Sequence, residues 1–147
     1  MSQRPHMASM IGQVREALIE DMHERVAAAG YPDIRQAHGC VFRFVPAEGM
    51  RPTELAERAR ITKQSLGEIV ADLERLGYVE RVPDPTDGRA KLVRLTPKGE
   101  EAQQAALKAF ADIERKWSRQ LGADRIAELR RTLAEIAELQ RQAALPV

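Results

Sequence analysis

The sequence predicts a mainly α-helical fold that contains one small β-hairpin. Apolar residues recur at three- and four-residue spacing over most of the chain, which is the pattern of amphipathic helices. In the middle of the chain two such stretches lie in tandem, "RPTELAERAR" and "ITKQSLGEIVADLERLGY". Directly after them, "RVPDPTDGRAKLVRLT" is typical of two short strands around a turn-rich tip. This order predicts a winged helix–turn–helix flanked by N- and C-terminal helices.

The N-terminal part is predicted to form two helices. The first runs from about Met7 to Ala29, and its apolar side consists of Ile11, Val14, Leu18, Met22 and Val26. Gly30 ends this helix and Pro32 cannot continue it. Asp33 is then expected to cap a second helix, "IRQAHGCVFRFV", with an apolar stripe made of Ile34, Ala37, Val41 and Phe44.

The two helices of the central tandem have separate start signals. Thr53 is expected to cap the first, which turns Leu55, Ala56 and Ala59 towards the core. Thr62 is expected to cap the second, and Gly77 ends it. The core side of this second helix consists of Leu66, Ile69, Val70, Leu73 and Leu76. The hairpin that follows has its predicted tip at Pro83, Asp84, Pro85, Asp87, Gly88 and Arg89.

The C-terminal part returns to helix. "TPKGEE" combines a threonine cap, a proline in the first turn and early acids, and the helix it starts extends to about Leu121. Gly122 breaks it, and Asp124 is expected to cap a last helix. In that helix the apolar residues are Ile126, Leu129, Leu133, Ile136 and, after a slip of one residue, Leu139. Such a face must be covered, so we expect it to form a two-fold dimer interface with Ile11, Val14 and Leu18 of the first helix.

Composition narrows the possible functions. The 147-residue chain has a net charge of +1, so a nucleic-acid function would depend on how local charges are arranged. It has no apolar run long enough for a membrane helix and no apolar signal core, so we expect a cytoplasmic protein. No phosphate-binding loop, nucleophile elbow or cluster of acid–base residues is present, so we expect neither an enzyme nor a cofactor. With one cysteine, and no two of its three histidines four residues apart, we expect no metal site.

The start of the second tandem helix carries groups that suit DNA recognition. In a helix–turn–helix this helix enters the major groove, with residues near its N-terminus at the base edges. The hydroxyls, amide and cation here can bind bases or phosphates. The hairpin beside it is then a wing, whose arginine can enter the flanking minor groove. The candidate DNA-binding residues are Thr53, Thr62, Lys63, Gln64, Ser65, Glu68, Arg89 and Lys91. The alternative for Arg89 is that it only pairs with Asp84 or Asp87.

The segment "RPTELAERARITKQSLGEIVADLERLGYVERVPDPTDGRAKLVRLTPKGEEA" resembles the MarR (multiple antibiotic resistance regulator) family of bacterial transcription factors. The resemblance implies a homodimer that binds inverted-repeat operators, and many members repress transcription until a small aromatic ligand releases them. It also implies a DNA-binding region at 46–96 and a dimerisation region at 7–45 and 97–147, within one integrated domain. In the family a ligand cleft lies between these regions, and Tyr31, His38 and Phe42 are candidates to line it; the alternative is that they pack in an interface.

Two departures from the family pattern leave alternatives open. Gly88 stands before Arg89, where many members have a second arginine, so the wing tip has one cation fewer. The cysteine that oxidant-sensing relatives carry near the start of their first helix is absent. The lone Cys40 could sense oxidants instead, and the alternative is that it is a buried, inert residue. A winged helix can also act as a protein–protein module, and the near-neutral net charge is compatible with that function.

Overall fold

The computed structural model describes residues 4–145 and confirms the predicted fold class. Over these residues the chain is mostly helical and contains a two-stranded antiparallel sheet. The elements in chain order are α1 (Met7–Ala28), a 3-10 helix (Gln36–His38), α2 (Gly39–Phe44), α3 (Pro52–Ala59), α4 (Lys63–Arg75), β1 (Val79–Asp84), β2 (Asp87–Leu95), α5 (Pro97–Leu121) and α6 (Ala123–Ala144). None of the helices within 4–145 is long and apolar enough to cross a lipid bilayer.

The described residues divide into two compact units, and the division lies inside α5, between Ala109 and Phe110. The first unit contains α1 to α4, the hairpin and the start of α5. The second contains the rest of α5 and α6. The predicted functional regions 7–45, 46–96 and 97–147 have other boundaries and stay a prediction; the last two residues of that range lie outside the described part.

The core of the first unit is built around α3, α4 and the hairpin. Leu55 of α3 and Leu73 of α4 are completely buried, as is Val93 of β2. The full set of buried residues in this cluster is Val41, Val45, Met50, Leu55, Ala56, Leu66, Val70, Leu73, Tyr78, Val79, Val93, Leu95 and Ala102. The apolar sides predicted for both tandem helices therefore face this core, which leaves the opposite side of α4 in solvent.

The turn between α3 and α4 fixes the start of α4. Arg60 closes α3 in the left-handed region, at φ 57° and ψ 42°. Thr62 is the N-cap of α4, as predicted: its Oγ1 accepts the backbone N–H of Ser65 at 3.0 Å. Gly77 ends α4 with φ 87°, also as predicted.

The hairpin is longer and its turn tighter than predicted. Pro85 and Thr86 form the turn, while Pro83 lies within β1, opposite Lys91. Arg89 therefore lies inside β2. The register shifts between Pro83 and Asp84, so Gly88, Arg89 and Ala90 have no partner residue on β1. At the other end, Met50 pairs with Val93 through hydrogen bonds of 2.9 and 2.8 Å, which joins the hairpin to the segment before α3.

Hydrogen bonds and close packing join the start of α5 to the residues at the end of α4. Thr96 caps α5, as predicted, since its Oγ1 accepts the N–H of Gly99 at 3.1 Å. The same hydroxyl donates to the carbonyl of Gly77 at 2.6 Å. A Cβ at Gly99 would lie 2.1 Å from the carbonyl oxygen of Tyr78, so only glycine allows this close approach.

Three predicted helix caps are wrong. Asp33 caps no helix, because helical structure begins only at Gln36, with Arg35 as the N-cap, and the carboxylate of Asp33 accepts the hydroxyl of Tyr78. Thr53 is the second residue of α3, whose N-cap is Arg51, because Pro52 already fits the first helical position. Asp124 is the second residue of α6, whose N-cap is Gly122. Ala37, placed on the core side of the predicted second helix, is exposed.

Apolar side chains remain exposed in both units. In the first unit they line α1, where the exposed fractions are 69% for Met7, 48% for Met10 and 53% for both Ile11 and Val14. In the second unit they line α6, and the exposed residues are Leu129, Leu133, Ile136 and Leu139. Ile126, at the start of α6, is buried instead. Each stripe is left exposed within its own unit, over the residues that the structure describes.

Candidate nucleic-acid interface

The solvent side of α4 is polar near its N-terminus. Thr62, Lys63, Gln64, Ser65 and Glu68 are all exposed, as is Thr53 at the start of α3. The hydroxyl of Thr62 donates to Oγ of Ser65 at 2.9 Å and also caps the helix, so these two side chains hold each other. Lys63 and Gln64 have no hydrogen bond or ion pair to any described residue. They expose an ammonium, which only donates, and an amide, which both donates and accepts.

Gly67 lies on this same exposed side of α4. A Cβ built on it meets no atom of the described chain within 4 Å. Packing inside the chain therefore does not require glycine here, although glycine costs a helix interior about 1 kcal/mol relative to alanine.

The cations around α4 and the hairpin fall into two groups. Most of the arginines are neutralised by neighbouring carboxylates, in the pairs Arg51–Asp84, Arg58–Glu54, Arg75–Asp72, Arg81–Glu74 and Arg94–Glu80. Lys98 donates to the carbonyl of Leu76 at 2.8 Å. Apart from Lys98, four of the cations around α4 and the hairpin form no ion pair with any residue in 4–145, and they are Arg60, Lys63, Arg89 and Lys91. They lie in the turn before α4, in its first turn and on β2, so the unpaired positive charge of this region lies at the helix start and the wing.

The turn of the hairpin is organised by Asp84. This carboxylate is 6% exposed and accepts the hydroxyl of Thr86 at 2.7 Å, the N–H of Thr86 at 2.8 Å and Nε of Arg51 at 2.7 Å. These donors, the two of Thr86 first, lower the pKa of Asp84 from 3.8 to about 2. Asp84 is therefore ionised at neutral pH, and its charge fixes both the turn and Arg51.

Arg89 does not pair with the carboxylates near it. Its backbone N–H donates to Oδ1 of Asp87 at 3.1 Å, while its exposed guanidinium has no ion pair among the described residues. Asp84 and Asp87 face Arg51 instead, at 2.7 and 4.0 Å. No local pattern predicts this contact, because Arg51 and Asp84 are 33 residues apart. Arg60 was also missed, although a cation two residues before a predicted N-cap could have been noted.

The residues predicted to line a ligand cleft are engaged within the first unit. His38 is 3% exposed; its Nδ1 accepts the N–H of Arg35 at 2.9 Å, so Nε2 carries the proton and donates to Oδ2 of Asp72 at 2.7 Å. The hydroxyl of Tyr31 donates to Glu101 at 3.2 Å. Phe42 packs edge-on against Tyr78, with ring centroids 6.0 Å apart. Neither ring nitrogen of His38 is therefore left for a ligand.

Two open clefts lie elsewhere in the first unit. One, of about 680 Å³, is lined by Val45, Ala47, Leu95, Pro97, Glu100, Glu101, Gln103 and Gln104. The other, of about 620 Å³, is lined by Glu16, Ile19, Glu20, His23, Glu24, Ala27, Pro32, Ile34 and Gln36. Both combine apolar walls with carboxylates, which favours a neutral or cationic occupant over an anion.

The surroundings of Cys40 do not activate its thiol. Burial raises the pKa of the half-buried Cys40 thiol, which keeps it protonated at neutral pH. Among residues 4–145, no three histidine, cysteine, aspartate or glutamate side chains lie close enough together to hold a metal ion.

Comparisons with known proteins point to one family. A family model described as the MarR family matches residues 34–90. The chain is 36% identical over 87 residues to the HTH-type transcriptional regulator Mb0904 of Mycobacterium bovis, across 59% of this chain and 55% of that protein. It is 31% identical over 94 residues to the transcriptional regulator HosA of Escherichia coli O127:H6, across 63% of this chain and 70% of that protein.

The same likeness extends to the fold. The structure of wild-type MarR from E. coli, in its apo form, aligns with a TM-score of 0.70 and 25% sequence identity, and the alignment covers 91% of this chain and 98% of that one. The match to the mycobacterial regulator, by contrast, spans only about half of that protein's length.

Proposed function

Because the chain belongs to the MarR family of winged-helix transcriptional regulators, we propose that it binds duplex DNA and regulates transcription. The observation that carries this proposal is the distribution of free positive charge. The arginines elsewhere on α3, α4 and the hairpin are paired with carboxylates, whereas Arg60, Lys63, Arg89 and Lys91 are left for a polyanion. A chain with a net charge of +1 can attract phosphates only through such a local excess.

In this proposal α4 is the recognition helix and enters the major groove. Gln64 can pair with adenine through its amide, and Ser65 and Thr62 can bind bases or phosphates through their hydroxyls. Lys63, Arg60 and Lys91 neutralise phosphates. Arg89 reaches into the flanking minor groove, where its fixed charge is favoured.

The protein acts as a homodimer in this proposal. The exposed stripes on α1 and α6 support it, because such continuous apolar surface is unfavourable in water and fits a self-complementary interface. Two copies of α4 would then lie about 34 Å apart, one turn of DNA, and the operator would be an inverted repeat. Occupying such a site blocks transcription, so we propose a repressor.

Release by a small aromatic ligand completes the proposal. Such a ligand must bind the DNA-free conformation more tightly than the DNA-bound one. The carboxylates in both open clefts repel an aromatic acid, so a neutral phenol fits them better. If phenols bind the protein but leave its affinity for the operator unchanged, this part is wrong.

A selection of bound genomic fragments, followed by a gel shift with excess nonspecific DNA, tests the central proposal. We expect one preferred fragment class containing an inverted repeat, with an affinity that falls as salt rises. Sedimentation at micromolar concentration should show a dimer. A monomer, or no affinity for any fragment at low salt, would instead favour a winged-helix module that binds proteins, for which the near-neutral net charge is the supporting observation.

A further inference from the structure

The base and the tip of the hairpin are held to the rest of the first unit in different ways. Near its base, the backbone of Met50 pairs with Val93 through two hydrogen bonds. Near its tip, the strand register shifts, and the three residues from Gly88 to Ala90 have no partner on β1. The regular ladder therefore does not hold the segment that carries Arg89.

Arg51 supplies the contact that the ladder lacks. Its Nε donates to Oδ2 of Asp84 at 2.7 Å, while Oδ1 of Asp84 accepts both donors of Thr86. A second guanidinium nitrogen lies 4.0 Å from Oδ2 of Asp87, whose Oδ1 accepts the backbone N–H of Arg89. A continuous set of contacts thus joins Arg51 to the backbone of Arg89.

Arg51 is itself held at a fixed place. It is the N-cap residue of α3, its carbonyl accepts the N–H of Leu55 at 3.0 Å, and the preceding Met50 is paired with β2. Its charge is balanced by one nearly buried carboxylate and a second one nearby, unlike the charges of Arg89 and Lys91. A cation so compensated is a poor phosphate ligand and a good anchor.

We propose that Arg51 is a positioning residue: it holds the wing tip, and through it Arg89, in place relative to α3 and α4, without contacting DNA itself. The inference rests on the proposed DNA-binding function. It assigns a role to a residue that lies outside both α4 and the hairpin.

The test compares Arg51→Gln, Arg89→Ala and the double variant in duplex binding at several salt concentrations. We expect each single variant to lose about tenfold in affinity, equivalent to about 1.4 kcal/mol, and to lower the salt slope by about one. If Arg51 acts through Arg89, the double variant binds as each single variant does. Losses that multiply, with a further drop in slope, would mean that Arg51 contacts phosphate directly, and the inference would be wrong.

Two further variants separate geometry from charge. Arg51→Lys keeps the charge but lacks the guanidinium Nε–H that donates to Asp84, so it should bind DNA as weakly as Arg51→Gln. Arg58→Gln removes another paired arginine from the same helix, one that contacts only Glu54 among the described carboxylates, and should bind like the wild type. Full rescue by lysine, or an equal loss in Arg58→Gln, would contradict the inference.

Backbone NMR without DNA tests the anchor independently of the proposed function. In Arg51→Gln the heteronuclear NOE values of Thr86, Asp87 and Arg89 should fall, while those of α4 stay unchanged. A wing tip that stays rigid overturns the inference even if the wild type binds DNA. A mobile tip in a protein that binds no DNA would overturn the proposed function and leave the anchor standing. If Arg89→Ala alone binds normally, the tip makes no DNA contact and the positioning role is wrong.

Discussion

At the scale of single residues, we propose that a side chain in the first turn of α4 recognises the base sequence of the DNA. Gln64 is exposed, has no partner in the described chain and extends from a helix end fixed by the Thr62 cap. Gln64→Ala should cost roughly 1–3 kcal/mol on the preferred site and relax base preference at one position. Affinities for the operator and for scrambled DNA measure both effects. An equal loss on both duplexes would show that Gln64 contacts phosphate rather than a base.

A second prediction concerns Asp84 and how it makes the stability of the folded protein depend on pH. Its pKa is lowered from 3.8 to about 2 in the folded protein, so the ionised carboxylate stabilises the fold above about pH 4. That stabilisation is lost as the pH falls from about 4 to about 2, because the carboxyl group is then protonated in the folded state as well.

Asp84→Asn should therefore melt a few degrees below the wild type at neutral pH, and the gap should close as the pH falls through that window. Thermal unfolding followed by circular dichroism at several pH values measures it. Glu54→Gln removes a carboxylate from an exposed ion pair of α3 and serves as the control, with little change expected. A gap that stays constant down to pH 2 would mean that the charge of Asp84 is not what stabilises the turn.

At the scale of elements, a change at Gly67 affects the stability of α4 and the affinity for DNA in ways that can be measured separately. A Cβ there meets nothing within 4 Å, so Gly67→Ala should stabilise α4 by about 1 kcal/mol. If the helix backbone approaches DNA closely, the same change should weaken operator binding. Gly12 lies inside α1, and a Cβ there also meets nothing within 4 Å. Gly12→Ala should therefore raise the melting temperature without affecting DNA binding. Unchanged affinity in Gly67→Ala would show that glycine serves no close approach.

Local sequence patterns predicted the helices and the hairpin, but only some of the helix caps. The caps at Thr62 and Thr96 were predicted correctly, since each hydroxyl needs only an N–H three residues ahead. Asp33 was assigned to a helix start, but its carboxylate is used by Tyr78, 45 residues away. A contact between residues so far apart in the sequence leaves no local pattern. The pairing of Arg51 with Asp84 was missed for the same reason.

The alternation of residues along the strands also could not predict the register of the hairpin or the length of its turn. The alternating residues around the turn indicated two strands, but the register depends on which side chains fix the turn. Asp84 binds Thr86 and so closes a two-residue turn, which moves Arg89 from the expected tip into β2. The exposed side of α4, by contrast, was predictable, because the core positions Leu66, Val70 and Leu73 determine which residues face solvent.

At the scale of the whole molecule, the exposed stripe on α6 leads to a prediction about assembly. Leu133 is 49% exposed in the described chain, and in a two-fold interface a change there acts twice. Leu133→Glu would bury a charge without a partner, at a cost of about 3 kcal/mol or more per interface. Sedimentation should then show a monomer, and operator affinity should fall with it.

Ala134→Glu introduces the same charge one position along, off the apolar stripe, and is the matched control. It should remain a dimer and bind the operator normally. A dimeric Leu133→Glu protein would show that α6 does not form the interface and would direct attention to the stripe on α1.

The link between Arg51 and Asp84 also limits how freely the wing can be exchanged. A hairpin whose tip is held by a residue 33 positions earlier is not an independent module. Transplanting residues 79–95 onto another winged-helix scaffold should carry along the turn that Asp84 and Thr86 close within the hairpin. The tip should be held in place, however, only where that scaffold has an arginine just before its first tandem helix, and without that arginine we expect a grafted wing with a mobile tip.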